Sequence, residues 1–209
     1  MTDRPAARPL TPWLFPPGAT PPRGVVRRQH GPAAVLFDRD GTLVEDVPYN
    51  GDPERVVVLP GAREALALLR AEGVATGVVS NQSGVALGRV DRAGLAAVRA
   101  RIEAELGAFG VWAVCPHGPG DGCGCRKPAP GLVLAACARL GVPPHRAAVI
   151  GDIGGDLAAA RAAGARGVLV PTPATRPEEV AAAEERAPDL LTAVRTLLEG
   201  APRLAGGRR

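Results

Sequence analysis

From residue 33 onward, short apolar runs alternate with longer stretches whose apolar positions recur every three or four residues. Residues 33–37 are apolar throughout and stop at Asp38, the pattern of a strand buried on both faces. Residues 74–79, 111–114, 147–150 and 167–170 repeat it. Helical spacing fills the intervals. Residues 60–72 begin with Pro60, placed where a first turn tolerates proline. Residues 91–106 open on Asp91, a good N-cap, residues 131–140 follow, and residues 157–163 close on Gly164. Two stretches rich in Ala, Leu and Glu come after Thr175, and residues 49–59 read as a small hairpin. Strands alternating with helices predict an α/β fold, a three-layer Rossmann-like parallel sheet covered on both faces.

Length and composition fit one domain over residues 33–200. The chain has 209 residues, of which 46% are hydrophobic and 22% charged, enough to bury a core. Residues 1–32 hold eight prolines and little periodicity, and are expected to form a flexible arm that Trp13 and Phe15 could pin to the body. The formal net charge of +4 sits at the ends: five Arg against one Asp in residues 1–32, and three Arg in the tail 201–209. The body between them is net negative, which argues against a nucleic-acid partner. No apolar run approaches the roughly 20 residues that span a bilayer, and no apolar stretch follows the basic N-terminal positions, so neither a membrane partner nor a signal peptide is expected. Four cysteines are too few for a disulfide-dense secreted scaffold. A cytoplasmic, monomeric protein is the expectation.

In parallel α/β sheets ligands bind beyond the carboxyl ends of the strands. Here those ends read Asp38-Arg39-Asp40-Gly41-Thr42, Ser80-Asn81-Gln82, Cys115-Pro116-His117 and Gly151-Asp152, all polar. Asp38 and Asp40, two apart at a strand exit, are expected to point the same way and either share a proton or bind a cation. Gly41 permits a sharp turn, and Thr42 adds a hydroxyl and a backbone N–H to the same space. Lys127 is the single lysine of a chain with 24 arginines. Cys115, His117, Cys123 and Cys125 put three thiols and one imidazole within eleven residues, which suits a closed structural zinc site of Cys3His type. The glycine-rich loop that carries them runs straight into Arg126-Lys127-Pro128, so a metal there would also fix the two cations. Cys137 falls on an apolar helical stretch and reads as core.

These residues resemble the haloacid dehalogenase-like phosphatases. Asp38-Arg39-Asp40-Gly41-Thr42 after an apolar strand matches that family's first motif, Ser80 its second, Lys127 its third, and Gly151-Asp152-Ile153-Gly154-Gly155-Asp156 its fourth, in order over about two-thirds of the chain. The resemblance implies an aspartyl-phosphate mechanism: Asp38 as nucleophile, Asp40 as acid and base, and Mg2+ held by Asp38, Asp152 and the backbone carbonyl of Asp40. It further implies Ser80 and Lys127 on the transferring phosphoryl group, and Asp156 as a supporting residue. Spacing between the motifs leaves no room for a large cap domain. Within the family, Asn81-Gln82-Ser83-Gly84 and Arg126-Lys127-Pro128 look like the D-glycero-D-manno-heptose 1,7-bisphosphate phosphatases, while the five-residue spacer between His117 and Cys123 is closer to histidinol-phosphatase. The expected substrate is therefore a small phosphorylated sugar, or an amino-alcohol phosphate as the alternative. Thr42, Ser80, Asn81 and Arg126 are the expected substrate contacts; Arg126 suits a second phosphate or a carboxylate. Ile153 stands where the family often has a basic residue. A non-catalytic, zinc-stabilised interaction protein is the reading from a different class, but every catalytic position here is filled.

Overall fold

Six strands form one sheet in the order β1-β4-β3-β2-β5-β6. The structure is a computed structural model that describes residues 11–15 and 31–200; the rest of the arm and the tail 201–209 lie outside the described residues. Strands β2 (Ala34–Phe37), β3 (Ala75–Asn81), β4 (Val111–Cys115), β5 (Ala147–Gly151) and β6 (Arg166–Leu169) run parallel. Helices α1 (Ala62–Ala71), α2 (Arg92–Leu106), α3 (Gly131–Leu140), α4 (Gly154–Ala163), α5 (Pro177–Ala182) and α6 (Leu190–Glu199) connect or follow them.

The period of two along each strand sorts its side chains onto two cores. Val35, Phe37, Val78 and Ile150 face α1, α2 and α6 through Leu66, Val98 and Leu197. Leu36, Val79 and Val149 face α3 and α4 through Leu132 and Ala159. Asp91 caps α2, its side chain accepting from Gly94 N at 2.7 Å, and Gly164 ends α4 in the left-handed region.

Two details differ from the sequence reading. Trp13–Phe15, inside the proline-rich arm, is a strand, β1, which pairs antiparallel with β4 on the sheet edge. Three residues are too few to display a period, and their partner lies about a hundred residues away in the chain. Residues 49–59 are not a hairpin ladder: a single antiparallel bridge joins Val44 to Val58, and a 3-10 turn over Pro53–Arg55 occupies the excursion.

Candidate active site

The sheet order reverses around β2, whose neighbours are β3 on one side and β5 on the other, so the crevice at their carboxyl ends is the natural ligand site. Asp38 leaves β2 on the side of α3 and α4, in register with Leu36. From the loop before α3, Lys127 sends its ammonium into that crevice and reaches Asp38 Oδ1 at 2.7 Å, Asp156 Oδ1 at 2.5 Å and the Val79 carbonyl at 2.9 Å. Asp156 is fully buried in the first turn of α4, and its other oxygen accepts from Ile153 N at 3.3 Å. Burial works against the charge on Lys127, but the Asp156 and Asp38 carboxylates outweigh it and hold its pKa above the usual lysine value.

Asp152, at the end of β5, completes the cluster: one carboxylate oxygen from each of Asp38, Asp152 and Asp156 lies within 4.8 Å of the others. Burial first, then the charges of Asp38 and Asp156, push the Asp152 carboxyl up to about 7; burial likewise pushes Asp156 up to about 6. Gly41 turns the chain against this group at φ +74, where a Cβ would stand 2.4 Å from Asp152 Oδ2, so only glycine fits. Thr175 donates its hydroxyl to the Asp152 carbonyl at 2.7 Å.

Asp40 takes different partners from Asp38. It lies beyond the last ladder residue of β2, in a turn where strand parity no longer governs direction. Its Oδ1 accepts from Arg39 Nε at 2.9 Å and pairs with Arg39 Nη2 at 2.8 Å; its Oδ2 accepts from Gln82 Nε2 at 2.9 Å. Burial, with the neighbouring Asp38 charge, raises its pKa despite Arg39. Gln82 also donates to Ser80 Oγ at 2.8 Å. Thr42 is 3% exposed, and its buried hydroxyl has no hydrogen-bond partner, a donor and acceptor left unused.

Asn81 meets Lys127 at the backbone, not at the ammonium. Its Nδ2 donates to the Lys127 carbonyl at 3.1 Å and its Oδ1 accepts from Lys127 N at 3.0 Å. Arg126 donates from Nη1 to the His117 carbonyl at 3.3 Å. The sequence alone assigns no role to Arg39 or Gln82. The period-two spacing of Ser80 and Gln82 was the available signal; nothing local marked Arg39.

The cysteine cluster closes at the end of β4. The three sulfurs are 3.7, 3.3 and 3.6 Å apart, and His117 Nδ1 lies 3.4 Å from Cys115 Sγ and 3.2 Å from Cys125 Sγ. A tetrahedral site with Zn–S near 2.3 Å has edges of about 3.8 Å, so these donors fit zinc, and they are far outside the bonding distance of about 2.05 Å for a disulfide. Burial raises the Cys115 and Cys125 thiols. Carboxylate oxygens of Asp38, Asp152 and Asp156 gathered within 4.8 Å of one another suit a hard divalent cation such as Mg2+. Two roomier clefts, of about 360 and 490 Å3, lie elsewhere on the surface, each beside already paired charges, Arg63 with Glu105 and Arg166 with Glu185.

Comparison with known proteins identifies this geometry. A HAD-hydrolase-like family model matches residues 124–198. The chain is 40% identical over 143 residues to a D-glycero-beta-D-manno-heptose-1,7-bisphosphate 7-phosphatase from Pseudomonas putida, covering 66% of this chain and 82% of that one. The chain belongs to the haloacid dehalogenase-like hydrolases. It is also 37% identical over 130 residues to a D-glycero-alpha-D-manno-heptose-1,7-bisphosphate 7-phosphatase from Mycobacterium tuberculosis, covering 59% of this chain and 68% of that one. The crystal structure of the D,D-heptose 1,7-bisphosphate phosphatase from Bordetella bronchiseptica, complexed with magnesium and phosphate, superimposes with a TM-score of 0.71 at 31% identity, covering 80% of this chain and 99% of that one. No helix among the described residues of this hydrolase is long and apolar enough to cross a membrane.

Proposed function

We propose that this hydrolase is a Mg2+-dependent phosphomonoesterase that removes the 7-phosphate of D-glycero-D-manno-heptose 1,7-bisphosphate. The observation that carries the chemistry is the buried ammonium of Lys127, 2.7 Å from Asp38 Oδ1 at the switch point of the sheet. The substrate comes from the relatives, beta and alpha anomers both among them.

In this reading an Asp38 oxygen attacks phosphorus as the bond from phosphorus to the sugar oxygen breaks. Asp40 gives that oxygen its proton, leaving an aspartyl-phosphate. Water then attacks the same phosphorus and gives a proton to Asp40, releasing inorganic phosphate and restoring Asp38. Lys127, Ser80 and the unpartnered Thr42 hydroxyl neutralise or hydrogen-bond the phosphoryl oxygens. Asp38, Asp152 and the Asp40 carbonyl would hold magnesium, which when bound offsets repulsion between the nucleophile and the phosphate dianion. Asn81 supports the site by holding Lys127, and Arg126 acts on the second anion of the substrate from the zinc loop. Thiol ligands persist in a reducing compartment, in keeping with a cytoplasmic enzyme.

Phosphate release with Mg2+ from both anomers of the heptose bisphosphate, from fructose 1,6-bisphosphate and from histidinol phosphate tests this, with Asp38→Asn as blank. We expect a preference of ~10²-fold or more for one heptose anomer. A preference for histidinol phosphate, or comparable slow rates on all four, overturns the substrate assignment.

A further inference from the structure

We propose that strand β1 is a positioning element for the general acid, with Phe15 acting through Arg39 on the Asp40 carboxylate. The inference rests on the phosphatase reading above and adds to it a segment that the catalytic motifs do not include.

Asp40 is held on both oxygens, by two nitrogens of Arg39 and by Gln82. Arg39 is 4% exposed and the Asp40 side chain 21%, so the contacts between them are charge-assisted bonds in a part-buried setting, stronger than their exposed counterparts. Behind them lies a cavity of about 10 Å3. Arg39, Ser80 and Gln82 wall it on the catalytic side, and Phe15, Arg99 and Trp112 on the other. A single water needs roughly 10–15 Å3 and two or more polar partners. The cavity is at the lower limit of that volume, and it already has the polar partners. The ring of Phe15 is one of its walls.

Phe15 is itself fixed in place. It pairs with Trp112 in the β1–β4 ladder and is 8% exposed. The guanidinium carbons of Arg92 and Arg99 lie 5.1 and 5.7 Å from its ring centroid, and Arg92 also covers Trp13 at 5.2 Å. Truncating the ring would join its volume to the cavity. Water could then solvate Arg39 and Gln82 from behind and compete with Asp40 for their N–H groups. The carboxylate would keep its chemistry but lose its single orientation, and proton delivery to the leaving oxygen would suffer.

That consequence separates positioning from mere stability. A sugar alkoxide is a poor leaving group and needs the proton; 4-nitrophenolate is a good one and scarcely does. In full-length Phe15→Ala, we expect kcat/KM for the heptose bisphosphate, which reports the step that expels the sugar oxygen, to fall ~10-fold, a fraction of the 10²–10⁴ that general acids contribute. The kcat/KM for 4-nitrophenyl phosphate should stay within about twofold. Phe15→Leu should restore most of the loss. Arg39→Met, which removes the intermediary, should give the same skewed ratio, and serves if Phe15→Ala does not fold. Placing Phe15→Ala on an Asp40→Asn background should add almost nothing. Equal losses on both substrates, or an additive double variant, overturn the inference while leaving the phosphatase reading intact. A wild-type chain that releases no phosphate from either substrate removes that reading and this inference with it.

Discussion

Asp38, Lys127, Asp152 and Asp156 reach one crevice from segments spread between residues 38 and 156, whereas Cys115, His117, Cys123 and Cys125 lie within one loop of eleven residues. The first centre is assembled by the sheet. It forms only when β2, β3 and β5 are in register, and it crowds like charges, so that burial and the Asp38 charge together raise the Asp152 and Asp156 carboxyls. The second is local, and a loop with glycines at 118, 120, 122 and 124 has little besides its ligands to hold it. The difference divides the work. The fold pays for the carboxylates, a metal for the loop, and Lys127 belongs to both, rooted beside the zinc loop with its ammonium among the carboxylates.

Breaking each side should therefore fail differently. The largest effect is expected from Asp38→Asn, which should lower phosphate release by more than ~10⁴-fold with the circular dichroism spectrum unchanged. Retained activity would remove Asp38 as nucleophile. Lys127→Met should cost both activity and about 3–5 kcal/mol of stability, because it leaves Asp38 and Asp156 buried without their cation. Carboxylates without a partner have raised folded-state pKa values, so the stability lost should be greater at about pH 8 than at about pH 5 in thermal melts. Equal losses at both pH values would mean the carboxylates are not what Lys127 compensates.

Smaller effects sharpen the comparison. Stripping the cysteine cluster of metal, with Mg2+ kept in excess, should lower activity ~10-fold or more while the sheet stays folded. Full activity in a sample shown to be zinc-free would uncouple the loop from the chemistry. The smallest effect concerns pH. Asp152 and Asp156 titrate near 7 and near 6 in the metal-free fold, above the ordinary carboxylate value of 3.8. Raised values mean that these two carboxyls contribute stability that is fully present below about pH 4 and is lost as pH climbs through about 7. Magnesium needs the ionised groups. Its effect on the melting temperature should therefore grow over the same window, by ~2–4 °C between about pH 5 and pH 8. A magnesium increment independent of pH would contradict the cluster as its site.

Much of this was legible in the sequence because the chemistry sits at strand exits. Asp38, Ser80 and Asp152 are each marked by the apolar run that precedes them, and the cysteine spacing alone announces a metal loop. What was not legible depends on pairings between distant residues. Asn81 is a clasp on the Lys127 backbone, a role set by the proximity of β3 to a loop more than forty residues on. The expectation that Asp38 and Asp40 point the same way assumes strand geometry, but β2 ends at Phe37, three residues before Asp40. Arg39 and β1 escaped notice for the same reason: the groups that give them meaning come from elsewhere in the chain.

The Asn81 clasp also has a bearing on turnover. An amide that bonds both the N–H and the C=O of Lys127 reproduces a rung of sheet ladder, so the cation is in position before any ligand arrives. Such a grip fits the phosphoryl group of the substrate and the inorganic phosphate it becomes almost equally well. Among the described residues there is no cap domain, so no opening step separates departure from arrival. Free phosphate should compete with substrate, and turnover should fall as the phosphate level around the enzyme rises.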